Sequence, residues 1–192
     1  MVLSKIDEFV KEKFDSYSQG AHAYDHSRRV FSIAKKIGES MGADMKILLS
    51  AALLHDIGRI RERETGVSHS IISGKMSTKF LDSIGFSKRE IEMVKDAIRT
   101  HRFSEGLEPN TLEGKILSDA DKLDAIGAIG VYRTIAHSVE TGVGMKGFLR
   151  HADEKLLKLR NHMYTEAARQ MAVRKHKILS IFIQEIRKEL EY

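Results

Sequence analysis

The stretch "SAALLHDIG" (residues 50–58) places an imidazole and a carboxylate side by side at the end of an apolar run. Such groups are costly to bury without partners, so the pair predicts further polar residues close by. The run has the composition of a buried helix, and Gly58 marks its end. Where the backbone leaves the helix, the adjacent side chains of His55 and Asp56 can converge instead of diverging by about 100°. That arrangement suits a metal ion.

The composition of the whole chain favours an all-α protein. Of its 192 residues, 42% are hydrophobic and 31% are charged, which fits one compact globular domain over residues 1–192. The single proline and the aromatic content of only 7% argue against a sheet protein with many turns. The abundance of Leu, Ile, Ala, Lys, Glu and Arg favours helix.

Capping residues and helical periodicity predict most of the helices. Ser87 with Glu90, and Asn110 with Glu113, have the spacing of a capping box, so a helix is expected to begin at each. Apolar residues three and four positions apart predict the other helices at about 3–16, 26–40, 44–56, 69–84, 127–139, 151–162 and 166–190. The glycine-rich segment "TGVGMKGF" (141–148) predicts a loop, either a simple surface connection or a lid over a site.

Several classes of protein are excluded or disfavoured by composition. The chain has no cysteine, so any metal must be held by histidines and carboxylates, and thiol chemistry is excluded. The apolar runs are far shorter than the ~20 residues that span a bilayer, so we expect a cytoplasmic protein with no membrane partner. The net charge of +5 suggests an anionic ligand. The basic stretch "RKHK" (174–177) is more typical of a solvated helix face than of a nucleic-acid surface.

Two further residues can complete a metal site around the His-Asp pair. His26 opens the amphipathic segment "DHSRRVFSIAKKI", and Asp121 lies in "LSDADKLDAIG", whose apolar residues direct it towards the same core. With His55 and Asp56 they form a nitrogen and oxygen set that can hold Mn, Fe, Co, Ni, Mg or Zn. Because this set leaves positions open for water and substrate, it indicates a catalytic site. The alternative is that His26 and Asp121 are solvent-facing charges and that the pair merely ends a helix.

These residues resemble the H...HD...D pattern of the HD-domain superfamily of metal-dependent phosphohydrolases. The segments "AYDHSRRV", "ALLHDIGR", "AIRTHRFS" and "EGKILSDADKLDAIGAIGVYR" are similar to a bacterial and archaeal branch that includes nucleotide pyrophosphohydrolases. The resemblance covers residues from about 20 to 133, whereas the C-terminal helices at about 151–190 match no motif. It implies an all-helical fold and hydrolysis of a phosphate ester or anhydride. It also implies a metal bound by His26, His55, Asp56 and Asp121.

Three basic residues near these segments are candidates for binding substrate. Arg59, Lys122 and Arg133 could stabilise the negative charge that develops on a phosphoryl group in the transition state. Arg59 directly follows the expected ligands. For Lys122 and Arg133 the alternative is ion pairing with Asp119 or Asp124.

Three more histidines have expected places in the site. His69 and His101 lie in segments that resemble the branch, and we expect both in the active site. In relatives that hold two metals, histidines at comparable places complete the second site; with one metal they would contact phosphate or transfer protons. His22 could lie at the entrance of the site.

The function that these observations favour is a phosphohydrolase acting on a nucleotide, with release of pyrophosphate from a nucleoside triphosphate as the most specific expectation. The segment "HDIGRIRERE" lacks the acidic pair that follows the HD dipeptide in some hydrolases of signalling nucleotides. The sequence as a whole also lacks the "GYP" segment of cyclic dinucleotide phosphodiesterases. The alternative function is a nucleotide-binding sensor or partner-binding module that keeps the metal site. Homodimer formation through the apolar face of the last helix is left open.

Overall fold

The computed structural model describes residues 2–15 and 24–191, and within those two ranges all regular structure is helical, with no strand. The α-helices are α1 (Val2–Asp15), α2 (Tyr24–Met41), α3 (Met45–Leu54), α4 (Arg59–Thr65), α5 (His69–Ser83), α6 (Lys88–Thr100), α7 (Leu112–Asp124), α8 (Gly127–Glu140), α9 (Gly144–Glu154) and α10 (Glu166–Glu189). Two 3₁₀ helices span Phe103–Glu105 and Leu156–His162. The prediction of an all-α fold is confirmed. In the described part of the chain, none of the helices combines the length and apolarity that crossing a membrane requires.

The helices group into two compact units, Met1–Asp121 and Lys122–Tyr192, with the boundary inside α7. The first unit carries the His-Asp pair and most of the residues that the sequence assigns to the site. The expectation of one domain over residues 1–192 stays a prediction.

Helix α3 is the buried centre of the first unit. All of its residues from Ile47 to Leu54 are buried, and it contacts α1, α2, α5 and α6. The Asp44 carboxylate caps its N-terminus by accepting the backbone N–H groups of Lys46 at 3.0 Å and Ile47 at 3.1 Å. Full burial of each large aliphatic side chain contributes about 1.5–3 kcal/mol. The helix that leads into the His-Asp pair is therefore firmly anchored.

The turn after α3 brings the His-Asp pair against the start of α5. Gly58 donates its backbone N–H to Ser73 Oγ at 2.9 Å. A Cβ atom at Gly58 would lie 2.8 Å from the Ser73 backbone nitrogen and 2.8 Å from Ile72 Cβ. Only glycine permits this approach, so Gly58 sets how closely His69, the first residue of α5, lies to the turn.

The second unit is built from α8, α9, α10 and the 3₁₀ helix Leu156–His162. Leu179 and Ile183 of α10 are buried in its core. The rings of Phe148 and Phe182 pack edge to face with centroids 6.1 Å apart. Its apolar residues thus follow the helical spacing that the sequence shows.

One of the two capping boxes expected from the sequence is present. At the start of α6, Ser87 Oγ accepts the Glu90 backbone N–H, and the Glu90 carboxylate accepts the Ser87 backbone N–H, as predicted. The box expected at Asn110 is wrong, because the Thr111 hydroxyl accepts the Gly114 N–H there. Glu113 instead accepts the backbone N–H of Asp44 at 2.8 Å and so ties the start of α7 to the start of α3.

Two other boundaries differ from the sequence prediction. The segment 141–148 is not wholly a loop, since α9 begins at Gly144 and buries Phe148 and Ala152, four positions apart. The helix expected over residues 151–162 is therefore the end of α9 followed by a 3₁₀ helix. Helix α4 was not predicted, because its sequence "RIRERET" has no apolar stripe and none of its residues is buried.

Candidate metal centre

The Asp56 carboxylate lies at the centre of a cluster of imidazoles in the first unit. Its Oδ2 atom is 3.5 Å from His26 Nε2 and 3.7 Å from His55 Nε2, and these two nitrogens are 3.2 Å apart. All three side chains are buried. They come from the start of α2 and from the turn after α3, so the adjacent residues His55 and Asp56 do converge on one point.

Asp121 of α7 lies beside the same cluster. Its Oδ1 atom is 3.3 Å from His26 Nε2, and the side chain keeps 22% of its surface exposed while His26 keeps 1%. Burial acts to raise the pKa of Asp121, but the hydrogen bond and the charge of His26 hold that pKa well below the ordinary 3.8. An ionised carboxylate is therefore available at the more exposed edge of the cluster.

The other oxygen of Asp56 faces a second pair of imidazoles. Asp56 Oδ1 is 3.2 Å from His69 Nε2 and 3.8 Å from His101 Nε2, and the two nitrogens are 3.4 Å apart. Both histidines are buried. Asp56 is thus shared by two groups of three ligand atoms, and within each group the atoms lie within 4.8 Å of one another.

Hydrogen bonds at Nδ1 fix which nitrogen of each ring faces the centre as an acceptor. His55 Nδ1 donates to the Ala52 carbonyl at 2.8 Å, and His101 Nδ1 donates to the Ile98 carbonyl at 2.6 Å. His69 Nδ1 donates to the Glu62 carboxylate at 2.9 Å. Since a neutral imidazole carries one proton, the Nε2 atoms of these rings are left with lone pairs.

Burial keeps these three imidazoles neutral. It lowers the pKa of His55 below the ordinary 6.5, and it lowers the pKa of both His69 and His101 to about 4. The facing Nε2 atoms of His69 and His101 are both acceptors, so neither ring can donate to the other. Two neutral imidazole nitrogens with free lone pairs and a carboxylate oxygen point at one place. Such a set of ligand atoms fits a divalent cation such as Mn, Fe, Co, Ni, Mg or Zn.

Arg59 supplies a positive charge next to the clusters. Its Nε atom is 3.1 Å from Asp56 Oδ2, and 22% of its side chain is exposed. Burial acts to lower the pKa of Arg59, but the charges of Asp56, Asp121 and Glu62 and the hydrogen bond to Asp56 together outweigh burial and raise that pKa. The guanidinium is therefore charged, held beside the shared carboxylate and partly open to solvent.

Glu62 is a site residue that the sequence did not single out. Besides accepting from His69, its carboxylate accepts from Arg102 Nη1 at 2.5 Å. Behind it, Glu105 pairs with Arg99 and accepts from the Ser70 hydroxyl at 3.0 Å. The sequence shows Glu62 only as an acidic residue in the charged segment between Asp56 and His69. Hydrophobic periodicity does not distinguish such a residue from the exposed charges around it.

The remaining residues expected in the site lie in the second unit or outside the described residues. Lys122 is buried, donates to the His162 carbonyl at 2.8 Å and lies with Nζ 4.1 Å from the centroid of the Tyr164 ring. Arg133 forms an ion pair with Asp124 at 2.6 Å, which is the alternative considered for it. The substrate-binding roles of Lys122 and Arg133 stay predictions. His22 lies outside the described residues.

Comparisons with known proteins agree with this geometry. The family described as "HD domain" matches residues 23–126. The Bacillus subtilis protein YpgQ is 32% identical over 194 aligned residues, which cover 97% of this chain and 92% of YpgQ. The crystal structure of YpgQ in complex with ADP is similar, with a TM-score of 0.79, 29% identity and 97% of both chains covered. A crystal structure of a predicted HD superfamily hydrolase from an uncultured Thermotogales bacterium has a TM-score of 0.73 and 33% identity, covering 97% of this chain and 92% of that one.

Proposed function

Because the chain belongs to the HD-domain family, we propose that it is a divalent-metal-dependent phosphohydrolase that acts on a nucleotide. The HD domain is the fold of a superfamily of metal-dependent hydrolases, and structural relatives of this chain are HD-superfamily hydrolases. The observation that supports the proposal most is the Asp56 carboxylate shared by two groups of buried imidazoles. Such a concentration of nitrogen and oxygen donors is costly to bury unless it serves a cation.

The metal ligands that we propose are His26, His55, Asp56 and Asp121. Their donor set suits the divalent ions named above without selecting one of them. When bound there, the ion supplies positive charge that acidifies a water molecule and offsets the negative charge of a phosphoryl oxygen. The partial exposure of Asp121 gives solvent and substrate a route to this side of the cluster.

His69 and His101 have two roles compatible with their geometry. Each presents a neutral Nε2 atom towards Asp56 Oδ1, so each can be a ligand of a second ion. The same lone pairs can accept a proton or a hydrogen bond from a phosphate group. In either role the residues act within contact distance of the shared carboxylate.

Arg59 is the proposed partner of the phosphoryl group. Its guanidinium lies with Nε 3.1 Å from Asp56 Oδ2 and Nη1 3.7 Å from Glu62 Oε2, and its partial exposure allows the same planar group to donate towards an anionic oxygen. Such donors stabilise the charge that develops as the bond to phosphorus breaks. Lys122 and Arg133 remain candidates for binding the anionic substrate.

The nucleotide class of the substrate is supported by the ADP that the YpgQ crystal structure contains. Within that class we propose hydrolysis of a nucleoside triphosphate between the α and β phosphates. Water would add to the α phosphorus as the bond to the bridging oxygen breaks, giving a nucleoside monophosphate and pyrophosphate.

The experiment that tests the proposal is product analysis with a panel of ribo- and deoxynucleoside triphosphates, diphosphates and monophosphates. Each is incubated with metal-supplemented protein, with chelator-treated protein and with the Asp56→Ala variant. Metal-dependent release of pyrophosphate that Asp56→Ala abolishes is the expected result. Inorganic phosphate from monophosphates would make the protein a nucleotidase, and nucleotide binding without turnover would instead support the alternative of a sensor.

A further inference from the structure

We infer that Glu62 is a positioning residue that holds the His69 imidazole in the one orientation and tautomer that serve the Asp56, His69 and His101 group. This inference deepens the proposed function and rests on it for its biological purpose. Glu62 accepts from the His69 imidazole, and the other nitrogen of that ring lies 3.2 Å from Asp56 Oδ1.

Glu62 accepts two hydrogen bonds from His69. Its Oε2 atom accepts the ring Nδ1–H at 2.9 Å, and its Oε1 atom accepts the backbone N–H of the same residue at 3.2 Å. Two contacts from one carboxylate fix the ring relative to its own backbone. The backbone N–H is one of those that a helix start leaves without a partner in the helix, and a negative charge is favourable at that end.

The position of His69 in its helix explains why a side chain is needed. His55 and His101 end α3 and α6, so each ring donates to the carbonyl three residues earlier, at Ala52 or Ile98. Those carbonyls are available wherever a helix ends. His69 begins α5 and has no preceding helical turn to supply a carbonyl. Glu62, reaching from α4, replaces it.

Glu62 is itself held by cations from the segments that carry the other two members of the group. Arg102, the residue after His101, donates to Oε1 at 2.5 Å. Arg59, three residues after Asp56, places Nη1 3.7 Å from Oε2. The Glu62 carboxylate therefore links the three segments that supply this group. The short charged helix α4 serves to position that carboxylate.

A carboxylate partner also affects the basicity of the ring. An imidazole that donates Nδ1–H to a carboxylate has a more electron-rich Nε2 atom, and loss of such a partner typically costs 10- to 100-fold in metal affinity. Removing Glu62 should therefore weaken binding at the His69 side of Asp56 and leave the His26 and His55 side unchanged.

The first test is calorimetric titration of metal-free protein with Mn²⁺. We expect two ions per wild-type chain, and in Glu62→Ala a 10- to 100-fold loss of affinity for one ion alone. Glu62→Gln, which preserves size and one acceptor oxygen, should fall between them. Glu64→Gln is the matched control, because Glu64 is an exposed acid of the same helix. Unchanged affinity for both ions in Glu62→Ala would overturn the inference. A single ion per wild-type chain would refute only the role of His69 as a metal ligand, and the measurement of the ring described below would then decide the inference.

The second test measures the ring directly and needs no metal. Nitrogen-15 NMR of the imidazoles in metal-free protein should show the proton of His69 on Nδ1 in the wild type and in Glu64→Gln. In Glu62→Gln, which is the safer variant for folding, a share of the molecules should carry it on Nε2. An unchanged tautomer in both Glu62 variants would overturn the inference. Absence of nucleotide hydrolysis with these effects intact would instead refute only the proposed function.

Discussion

Lowering the pH from 7 to 5 should destabilise the metal-free protein through its buried imidazoles. The pKa of His69 and that of His101 are about 4 in the folded protein, against 6.5 ordinarily. Between about pH 6.5 and pH 4 the unfolded chain therefore binds more protons at these rings than the folded chain does. The free energy of unfolding falls as the pH is lowered through this range. Below about pH 4 both states are protonated at these rings, and the loss from them is complete.

The size of the effect follows from the two pKa values. For one imidazole the linkage relation gives a loss of about 2 kcal/mol between pH 7 and pH 5. The two rings together should lose about 2–4 kcal/mol, because their titrations are coupled across 3.4 Å. Carboxylates contribute little here, since their ordinary pKa values lie below the window. A loss of this size is a large share of the stability of a typical protein.

The assay is urea unfolding of chelator-treated protein at pH 7, 6 and 5. His101→Gln should reduce the loss, since it removes one of the buried rings whose pKa lies well below the ordinary 6.5. His137→Gln is the matched control, because His137 is an exposed histidine that does not belong to the buried cluster. A free energy of unfolding that stays constant from pH 7 to pH 5, or an equal loss in His101→Gln, would mean that the folded protein does not hold these imidazoles neutral.

Three substitutions test other parts of the structure. Asp121→Ala should lower the metal content and abolish metal-dependent hydrolysis, because it removes a charged ligand; full activity with normal metal content would show that Asp121 is misassigned. Gly58→Ala should destabilise the protein by about 1–3 kcal/mol and weaken metal binding, because its Cβ would meet the Ser73 backbone 2.8 Å away; unchanged melting and metal affinity would contradict this. Ser87→Ala should cost about 1 kcal/mol by removing the cap of α6, and a change in metal content would contradict its purely structural role.

The helices with a clear apolar face could be predicted from the sequence, and those without one could not. The burial of α3 and the stripe of α6 follow from residue spacing alone. Helix α4 has no buried residue, and Glu62 links it to His69 and Arg102, which lie 7 and 40 positions away in the chain. The cap expected at Asn110 was wrong because Glu113 has a partner, Asp44, that lies 69 positions away in the chain.

The candidate site shows the same division. The convergence of His55 and Asp56 could be expected from a helix that ends at the pair. The helical segments around His26 and Asp121 suggested these two residues as further ligands, and resemblance to a family brought in His69 and His101. The sharing of the Asp56 carboxylate between two groups could not be predicted, because it depends on the approach of α5 that Gly58 permits. The role of Glu62 could not be predicted either, since no local sequence pattern shows that Glu62 contacts His69, the first residue of the next helix.

Anomalous X-ray scattering from crystals grown with Mn²⁺ would show whether the group around Asp56 binds a divalent cation. We expect an anomalous peak about 2 Å from a carboxylate oxygen of Asp56 and from Nε2 of His26 and His55. The peak should be absent from crystals of Asp56→Ala. Well-ordered wild-type crystals at saturating Mn²⁺ with no peak beside Asp56 would mean that this group is not a metal site.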